Sequence, residues 1–355
     1  MPNWFDRFTQ SVWGSSGNLD DPTPAQAAAG WSYIGQAPPT VEQFNSVEQW
    51  SDQKDNWLYN QLANVITASG GTPSDTDLNG LLKAVQLLGR KRLTADLNLY
   101  VSPTGNDTTG DGLTTGTAWA TMQHAWNTII NNYDLSGHNI TVNVAAGTYT
   151  SGIVAQGVPI GFNSGTRVLF TGDTVTPGNC NLSLNNQHCF TANAGAHFQI
   201  QGFAMSAAGL VSGTNASLLV VGPDSQITIP GNTLFGGCPG NQLWSTGGTI
   251  TLASSYAING NGQAHFSVTG NGNILYSGSG YTTTLTGGPI YSTAFAAAFG
   301  GGMIEVFTTN VTYTGAATGP HYNSQMNGII WTNSAGPTFF PGTVAGVVGT
   351  GGQYA

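Results

Sequence analysis

The spacing of apolar residues changes along the chain near residue 99. Between residues 40 and 98 apolar positions recur every three or four residues, which is the period of an amphipathic helix. From residue 140 onward apolar and polar residues alternate in short runs separated by glycine- and asparagine-rich turns, as half-buried strands do. The pattern predicts a small helical N-terminal part followed by a long, mainly β region.

The first long helix is predicted to begin after Thr40, because Gln43 follows three residues later and completes a capping box. It should end near the Ser-Gly-Gly sequence at residues 69–71. The pattern leaves two arrangements open, since the stripe can pack against flanking loops or against copies of the same helix. The apolar stripe consists of Val41, Phe44, Val47, Trp50, Trp57, Leu58, Leu62 and Val65.

Two further helices are expected. The first begins at Ser74 or Asp75 and reaches Gly89, so that the basic residues 90–92 lie at its C-terminal end, where cations interact well with the helix dipole. The second is a short amphipathic helix over about residues 118–132. Beyond it the pattern predicts no helix apart from a turn near residues 293–299.

Strands follow at irregular intervals of about 18 to 31 residues, marked by Val142, Leu169, Ile200, Leu219, Ile250, Val268 and Ile290. Such spacing over a long stretch favours a β-solenoid whose coils differ in loop length, although a β-sandwich is the competing interpretation. The helix at 118–132 would cap the open end of a solenoid, where an exposed sheet edge invites aggregation.

Charged residues are concentrated at the N-terminal end, because residues 1–98 hold 16 of the 23. Residues 135–355 contain four, namely Arg167, Asp173, Asp224 and Glu305. The net charge of −9 argues against nucleic acid or an anionic membrane as a partner. No signal peptide or transmembrane segment is recognisable, which predicts folding in a cytoplasm with Cys180, Cys189 and Cys238 reduced.

Glycoside hydrolysis by two carboxylates needs them about 5–10 Å apart. Asp173, Asp224 and Glu305 are the candidates in the β region, and Asp173 and Asp224 would lie roughly 10 Å apart if they shared a face two coils apart. The structural alternative makes Asp224 a turn residue after Gly222-Pro223 and pairs Asp173 with Arg167. This scarcity of carboxylates favours binding over cleavage.

Metal and cofactor motifs are weak or missing. Asp107 and Asp111 lie in a glycine-rich turn and could bind Ca²⁺, although Asx-turns explain both residues. The histidines at 188, 197, 265 and 321 are scattered and form no ligand motif; His197 and His265 each precede a Phe in a strand, as paired or surface imidazoles do. No cofactor is predicted.

Two stretches resemble phage proteins. Asp21-Pro22-Thr23-Pro24-Ala25-Gln26, Gly30-Trp31-Ser32-Tyr33-Ile34-Gly35 and Gln49-Trp50-Ser51-Asp52-Gln53-Lys54 resemble the N-terminal segment of bacteriophage and prophage tail fibres. Tyr100-Val101-Ser102-Pro103-Thr104-Gly105, with Ala118-Trp119-Ala120-Thr121-Met122, is similar to the opening of right-handed parallel β-helix domains in tailspikes. Together these matches extend over about residues 18–180.

The resemblance implies a homotrimer attached to the virion tail or baseplate by its N-terminal domain, residues 1–98, with Phe44, Val47, Trp50, Trp57, Leu58 and Leu62 at the interface between three copies. A right-handed parallel β-helix over residues 99–318 and a C-terminal tip at 319–355 would then face the host. We expect the protein to recognise a surface carbohydrate without entering the membrane, through Trp331, Tyr322, Asn323 and His321. The other interpretation of this aromatic tip, which is compatible with the first, is a hydrophobic plug that seals the last coil of the trimer. The alternatives are a polysaccharide depolymerase (hydrolase or lyase) of the same shape and a purely structural baseplate component.

Overall fold

The computed structural model describes residues 17–68, 71–73, 80–81, 84–85, 89–163 and 165–355. The chain divides into two compact units, Met1–Lys91 and Arg92–Ala355. The first is helical in its described part, whereas the second is built mainly from strands in long parallel sheets. The predicted order of a small helical part and a larger β part is therefore confirmed.

The N-terminal unit contains helices α1 (Pro24–Ala29) and α2 (Val41–Ala68), with a 3-10 helix between them at Gly30–Ile34. The predicted capping box is present, because the Gln43 N–H donates to Thr40 Oγ1 and the Thr40 N–H donates to Gln43 Oε1, both at 3.2 Å. Residues 80–81 and 84–85 are helical, but the rest of the predicted second helix lies outside the described residues. None of the described helices is long and apolar enough to cross a bilayer.

The second unit contains helix α3 (Met122–Asn132) and 3-10 helices at Thr115–Thr117 and Pro177–Asn179. The strands in chain order are β1 (Lys91–Arg92), β2 (Leu97–Val101), β3 (Tyr133–Asp134), β4 (Ile140–Val144), β5 (Gly147–Tyr149), β6 (Ile153–Gln156), β7 (Val168–Thr171), β8 (Cys180–Asn185), β9 (Phe190–Asn193), β10 (His197–Gln201), β11 (Ala204–Ala208), β12 (Leu210–Val211), β13 (Thr214–Asn215), β14 (Leu219–Val221), β15 (Gln226–Ile229), β16 (Leu234–Phe235), β17 (Leu243–Ser245), β18 (Thr249–Leu252), β19 (Tyr256–Ile258), β20 (Gly262–Val268), β21 (Asn273–Tyr276), β22 (Tyr281–Leu285), β23 (Tyr291–Ala298), β24 (Met303–Glu305), β25 (Val311–Thr314), β26 (Tyr322–Ser324), β27 (Ile329–Trp331), β28 (Val347–Val348) and β29 (Gln353–Tyr354).

Three long sheets share these strands. Sheet 1 has ten strands in the order β2-β4-β7-β10-β15-β18-β21-β24-β27-β29, sheet 2 has seven from β5 to β25, and sheet 3 has eight from β6 to β28. The chain visits sheets 1, 2 and 3 in turn, and each returning strand pairs in parallel with the one before it. We call one passage through the three sheets a rung. Parallel pairing throughout these sheets excludes the antiparallel sandwich.

Side chains of each strand alternate between the core and the outer face. Ile227 and Ile250 pair directly and are fully buried, while their neighbours Thr228 and Thr251 pair on the outer face. The pairing assigns the irregularly spaced marker residues to sheets, since Ile250 lies in sheet 1 whereas Leu219 and Val268 lie in sheet 3.

Helix α3 closes one end of this core. It contacts β2 and β6, the first strands of sheets 1 and 3, and buries Met122, Ala125, Trp126 and Ile129. It starts four residues after the predicted start because Ala118 and Trp119 are extended, with the Trp119 N–H donating to the Tyr100 carbonyl at 3.0 Å. The Thr121 hydroxyl then caps the helix by accepting from the His124 N–H.

The turn expected near residues 293–299 is wrong, because this stretch belongs to strand β23. Alanine favours helices, but here Ala294, Ala296 and Ala298 are fully buried and β23 pairs with β20 on one side and β26 on the other. Two neighbouring strands and a shared core outweigh the local preference.

The core near α3 is apolar and aromatic. The Phe198 ring lies 5.5 Å from Trp126, 6.0 Å from Phe170 and 6.3 Å from Phe190, and Phe190 lies 5.5 Å from Phe203. Tilted and edge-on ring pairs at such distances stabilise a core beyond the apolar area that they bury.

Further along the stack the core contains a hydrogen-bonded network. The buried His265 ring contacts Gln242 Oε1 through Nδ1 and the Tyr256 hydroxyl through Nε2, each at 2.7 Å. Tyr276 donates to the Tyr256 hydroxyl at 3.0 Å, and Tyr291 donates to Gln242 Oε1 at 3.0 Å. All of these side chains lie inside the sheets.

The directions of these hydrogen bonds follow from Gln242. Its amide nitrogen donates to the carbonyls of Gly236 and Gly260, both at 2.9 Å, so its oxygen is the group that faces His265. His265 must therefore carry its proton on Nδ1 and accept from Tyr256 at Nε2. The interior thus holds His265 neutral, and burial lowers its pKa well below the ordinary value.

Candidate functional site

The outer face of sheet 1 presents two columns of side chains. One column runs from His197 through Gln226, Thr249 and Asn273, and the other from Gln199 through Thr228 and Thr251. Amides and hydroxyls therefore replace charged groups along the middle of this face. Such a surface can donate and accept hydrogen bonds without attracting a particular charge.

A groove of about 420 Å³ lies at one end of this face, where β7, β10 and β15 meet the loop before β7. We call it the Arg167 groove; its walls include Phe162, Asn163, Arg167, His197, Gln199 and Gln226. The Phe162 ring meets the His197 ring edge-on at 5.4 Å, and His197 Nε2 contacts the Asp224 carbonyl at 3.1 Å.

A second groove, of about 360 Å³, lies on sheet 3 beside a hairpin formed by β12 and β13. The two turn residues of this hairpin, Ser212 and Gly213, both have positive φ, which matches the twist of a tight hairpin. We call this cavity the Trp244 groove, and its lining includes Thr214, Asn215, Ser217, Asn241, Trp244 and Gln263.

Trp244 faces outward because its strand neighbours Leu243 and Ser245 are buried. Its indole is half-buried, and the indole N–H has no hydrogen bond to the described residues. Ser217 is fixed beside it, since its N–H donates to His188 Nδ1 at 2.9 Å and its hydroxyl accepts from the Asn241 N–H at 3.0 Å. The site is an apolar ring surrounded by amides and hydroxyls with no charged side chain in the lining.

The residues predicted to bind a receptor do not form one site. Trp331 is 43% exposed on the outer face of sheet 1, where its ring lies 5.0 Å from Phe307. Tyr322 is buried and stacks on Tyr354 at 3.9 Å, so its ring is turned to the interior. His321 Nδ1 contacts the Phe340 carbonyl at 2.6 Å.

Asn323 is the predicted receptor residue that shares a face with the Trp244 groove. It lies in the same outer column of sheet 3, three strands beyond Trp244, through Ser267 and Ala297. Neighbouring strands are about 4.8 Å apart, so the two positions are separated by roughly 14 Å.

The three candidate catalytic carboxylates are dispersed. Asp173 follows β7 and Asp224 precedes β15, so they lie at opposite ends of sheet 1 strands that are themselves two positions apart. Glu305 lies within β24, three strands beyond β15. The described part of a single chain therefore brings no two of them into the arrangement that glycoside hydrolysis requires.

Asp173 is a turn residue. Its carboxylate accepts from the backbone N–H groups of Val175 and Thr176 and from the Asn179 amide, and the Thr176 N–H and then the Asn179 amide hold its pKa below the usual value. The predicted pairing of Asp173 with Arg167 is wrong, because Arg167 precedes β7 and Asp173 follows it, so that the two side chains lie at opposite ends of the strand. Asp224 has φ 57, which fits its predicted place in the turn after Gly222-Pro223.

The candidate calcium residues organise their own loop. Asp107 accepts from the N–H groups of Ala120 and Thr121 and from the Thr121 hydroxyl, while Asp111 accepts from the Leu113 N–H and the Thr117 hydroxyl. Among the residues that the structure describes, no three His, Cys, Asp or Glu side chains converge as metal ligands do. The three cysteines are free and buried.

Sequence reasoning missed both grooves. Each is assembled from rungs that lie side by side in space but 20 or more residues apart in the chain, such as the β12–β13 hairpin and β17. The signal that was present is a Trp beside a single apolar residue in a mostly polar stretch, Asn241-Gln242-Leu243-Trp244-Ser245-Thr246. No protein-family model, curated protein or solved structure matches this chain.

Proposed function

We propose that this chain is a tail fibre or tailspike of the bacteriophage type, which attaches to the virion tail or baseplate through its N-terminal unit and binds a host-surface glycan. The proposal joins the resemblance of the N-terminal sequence to the character of the outer faces of the sheets. Binding rather than cleavage is proposed because the candidate carboxylates are dispersed within the described chain.

The strand order supports a right-handed parallel β-helix. Sheets 1, 2 and 3 receive successive strands in rotation, and every rung adds one strand to the same edge of each sheet through most of the stack. Parallel strands joined by crossover connections almost always follow a right-handed path. A stiff column of this type would hold binding sites at fixed distances from one another along its length.

Helix α2 supports assembly into a homotrimer. Phe44, Val47, Trp57, Leu58 and Leu62 are between 37% and 64% exposed, and the described helix buries just Ser46 and Ile66. Trp50 is half-buried beside a shallow cavity that Pro22 and Trp31 also line. The stripe therefore divides between local packing and an exposed apolar face, and apolar faces of this kind are typical of helices that pack against copies of themselves.

The Trp244 groove is the observation on which glycan binding rests. Sugar rings offer weakly polar C–H faces and a rim of hydroxyls, and the groove offers the complementary groups, an indole ring within a rim of amides and hydroxyls. The unbonded indole N–H adds a donor at the edge of the ring. The absence of charge in the lining fits a ligand that is recognised by shape and hydrogen bonds.

Replacement of Trp244 tests this function. We expect Trp244→Ala to reduce attachment of the full-length protein to host cells, or its affinity for the isolated surface polysaccharide, by tenfold or more, because the aromatic contact is lost. Trp331→Ala removes another surface Trp from a different sheet and should change affinity less than threefold. Thermal unfolding of both variants controls for folding, and unchanged binding by a folded Trp244→Ala protein would contradict the proposal.

A further inference from the structure

Arg167 is the single Lys or Arg in residues 93–355, and it lies in the Arg167 groove. A solvent-facing cation normally has many neighbours of its own type on a protein surface. Here one guanidinium stands on a long face made of amides, hydroxyls and apolar groups. Its position in a groove rather than on a ridge or at a turn raises the question of what it binds.

The guanidinium makes no direct polar contact with the described residues. The backbone N–H of Arg167 donates to Asn139 Oδ1 at 3.0 Å, which fixes the strand, but its side chain has no hydrogen bond or ion pair with the described residues. The Asn139 backbone N–H and side-chain amide donate to Asp96 at 2.8 and 3.0 Å and, followed by the charges of His138 and Arg167, hold the pKa of Asp96 below its usual value. Arg167 therefore acts on Asp96 at longer range, without an ion pair. The five donors of Arg167 are therefore available.

Neutral polar groups surround this cation. His197 donates from Nε2 to the Asp224 carbonyl, which leaves Nδ1 for a ligand hydroxyl, and no carboxylate lines the groove. Gln226 donates to the Thr228 and Thr251 hydroxyls and so keeps its amide oxygen unused, whereas the Gln199 amide has no hydrogen bond to the described residues. Phe162 contributes an apolar wall.

We infer that the Arg167 groove binds the carboxylate of an acidic sugar, with the hydroxyls of that sugar on Gln199, Gln226 and His197. A planar guanidinium matches a carboxylate through two parallel hydrogen bonds. One cation balances the single charge of a carboxylate, whereas phosphate sites generally add backbone N–H groups or further cations. The inference rests on the proposed glycan-binding function and specifies a second, acid-specific contact on a different sheet from the Trp244 groove.

The test compares acidic oligosaccharides with their uncharged counterparts. Full-length protein is titrated calorimetrically with oligogalacturonate, oligoglucuronate and oligosialate, and with the same oligomers after reduction of the carboxyl groups to alcohols. We expect at least one acidic oligomer to bind ten or more times more tightly than its reduced form. Arg167→Gln should abolish that preference, and Arg167→Lys should restore it in part because a charge remains without the planar pair of donors.

Arg92→Gln is the matched control. It removes the same charge from the same unit. The Arg92 side chain donates a hydrogen bond of 2.7 Å to the Ser136 hydroxyl, and neither residue lines the groove. Its affinity for the acidic oligomer should stay within twofold of the wild type. The inference is overturned if none of the acidic oligomers binds, if reduced oligomers bind equally well, or if Arg167→Gln behaves like Arg92→Gln.

Failure of this inference and failure of the proposed function give different results. If Trp244→Ala loses host-cell attachment while Arg167→Gln keeps it, the glycan-binding function stands and acid recognition does not. If the wild-type protein neither attaches to cells nor binds any oligomer, the proposed function itself is wrong.

Discussion

Two regions of the same core are stabilised by different interactions. Near α3 the interior is a cluster of aromatic rings around Phe198, while several rungs later the same sheets enclose the hydrogen-bonded network around His265. An apolar cluster accepts any side chains that fill the volume. The network requires each donor to meet its own acceptor, so it specifies which rungs are neighbours as well as how much space they fill.

Replacement of His265 by Phe should give the largest difference between the two regions. The volume is similar, but the Tyr256 hydroxyl and Gln242 Oε1 each lose one of two buried hydrogen bonds. The bonds that they accept from Tyr276 and Tyr291 remain. The Tyr256 proton loses its acceptor, which costs about 1–3 kcal/mol, and Gln242 Oε1 loses one hydrogen bond of about 1 kcal/mol. We therefore expect the free energy of unfolding to fall by about 3 kcal/mol in total. Urea denaturation followed by tryptophan fluorescence measures this loss.

The control for that substitution lies in the apolar region. Phe190→Leu removes a buried ring next to Phe198 and Phe203 but leaves no polar group unpaired. It should cost about 1.5 kcal/mol or less. A loss from Phe190→Leu equal to that from His265→Phe would contradict the distinction between the two regions.

Acid should weaken the network region before the apolar one. Burial lowers the pKa of His265 well below its ordinary value of 6.5. Below about pH 6.5 the unfolded chain therefore binds a proton that the folded chain excludes, and stability falls as the pH decreases. With an unfolded-state pKa of 6.5, this residue can account for a loss of up to about 2 kcal/mol between pH 7 and pH 5.

The pH dependence is checked by denaturation at several pH values. His265→Phe should show a smaller decrease over the same range, because its unfolded chain has one proton fewer to bind. His188, whose pKa is also lowered by burial, is present in both proteins and cancels in the comparison. Equal slopes for wild type and variant would show that His265 does not titrate as expected.

Tyr256→Phe should have the smallest effect. The variant leaves His265 Nε2 without its donor, but Tyr276 can rotate its hydroxyl hydrogen from Tyr256 toward Thr283, which lies 3.2 Å away. One unpaired acceptor then remains, and we expect a loss of about 1.5 kcal/mol. In a double-mutant cycle with His265→Phe the two losses should be less than additive, since both substitutions break the same hydrogen bond.

The local features of the fold were predictable from the sequence. The capping box of Thr40 and Gln43 depends on residues three apart, and the alternation at Ile140, Val142 and Val144 reflects one strand with one buried face. Register was harder because the connections between strands vary in length. The hairpin at Leu210–Asn215 lies between β11 and β14 and lengthens the return to sheet 3, so spacing alone does not assign Leu219 to a sheet.

The functional regions were less predictable for the same reason. His265 was expected to be paired or at the surface, but its partners Gln242 and Tyr256 lie in neighbouring strands and no local pattern identifies them. Trp244 acquires its groove from a hairpin that precedes it by about 30 residues in the sequence. The His265 network and the Trp244 groove both form between stacked rungs. They therefore depend on which strands pair, and no short sequence motif identifies them.

The position of Arg167 has a consequence for digestion by proteases. Trypsin cleaves after lysine and arginine, so residues 93–355 offer it one peptide bond, between Arg167 and Val168. Val168 is fully buried at the start of β7 and pairs with Ile140, so this bond becomes accessible after the strand leaves sheet 1. Residues 93–355 contain no lysine, so we expect trypsin to leave this part of the chain intact while the rungs stay stacked.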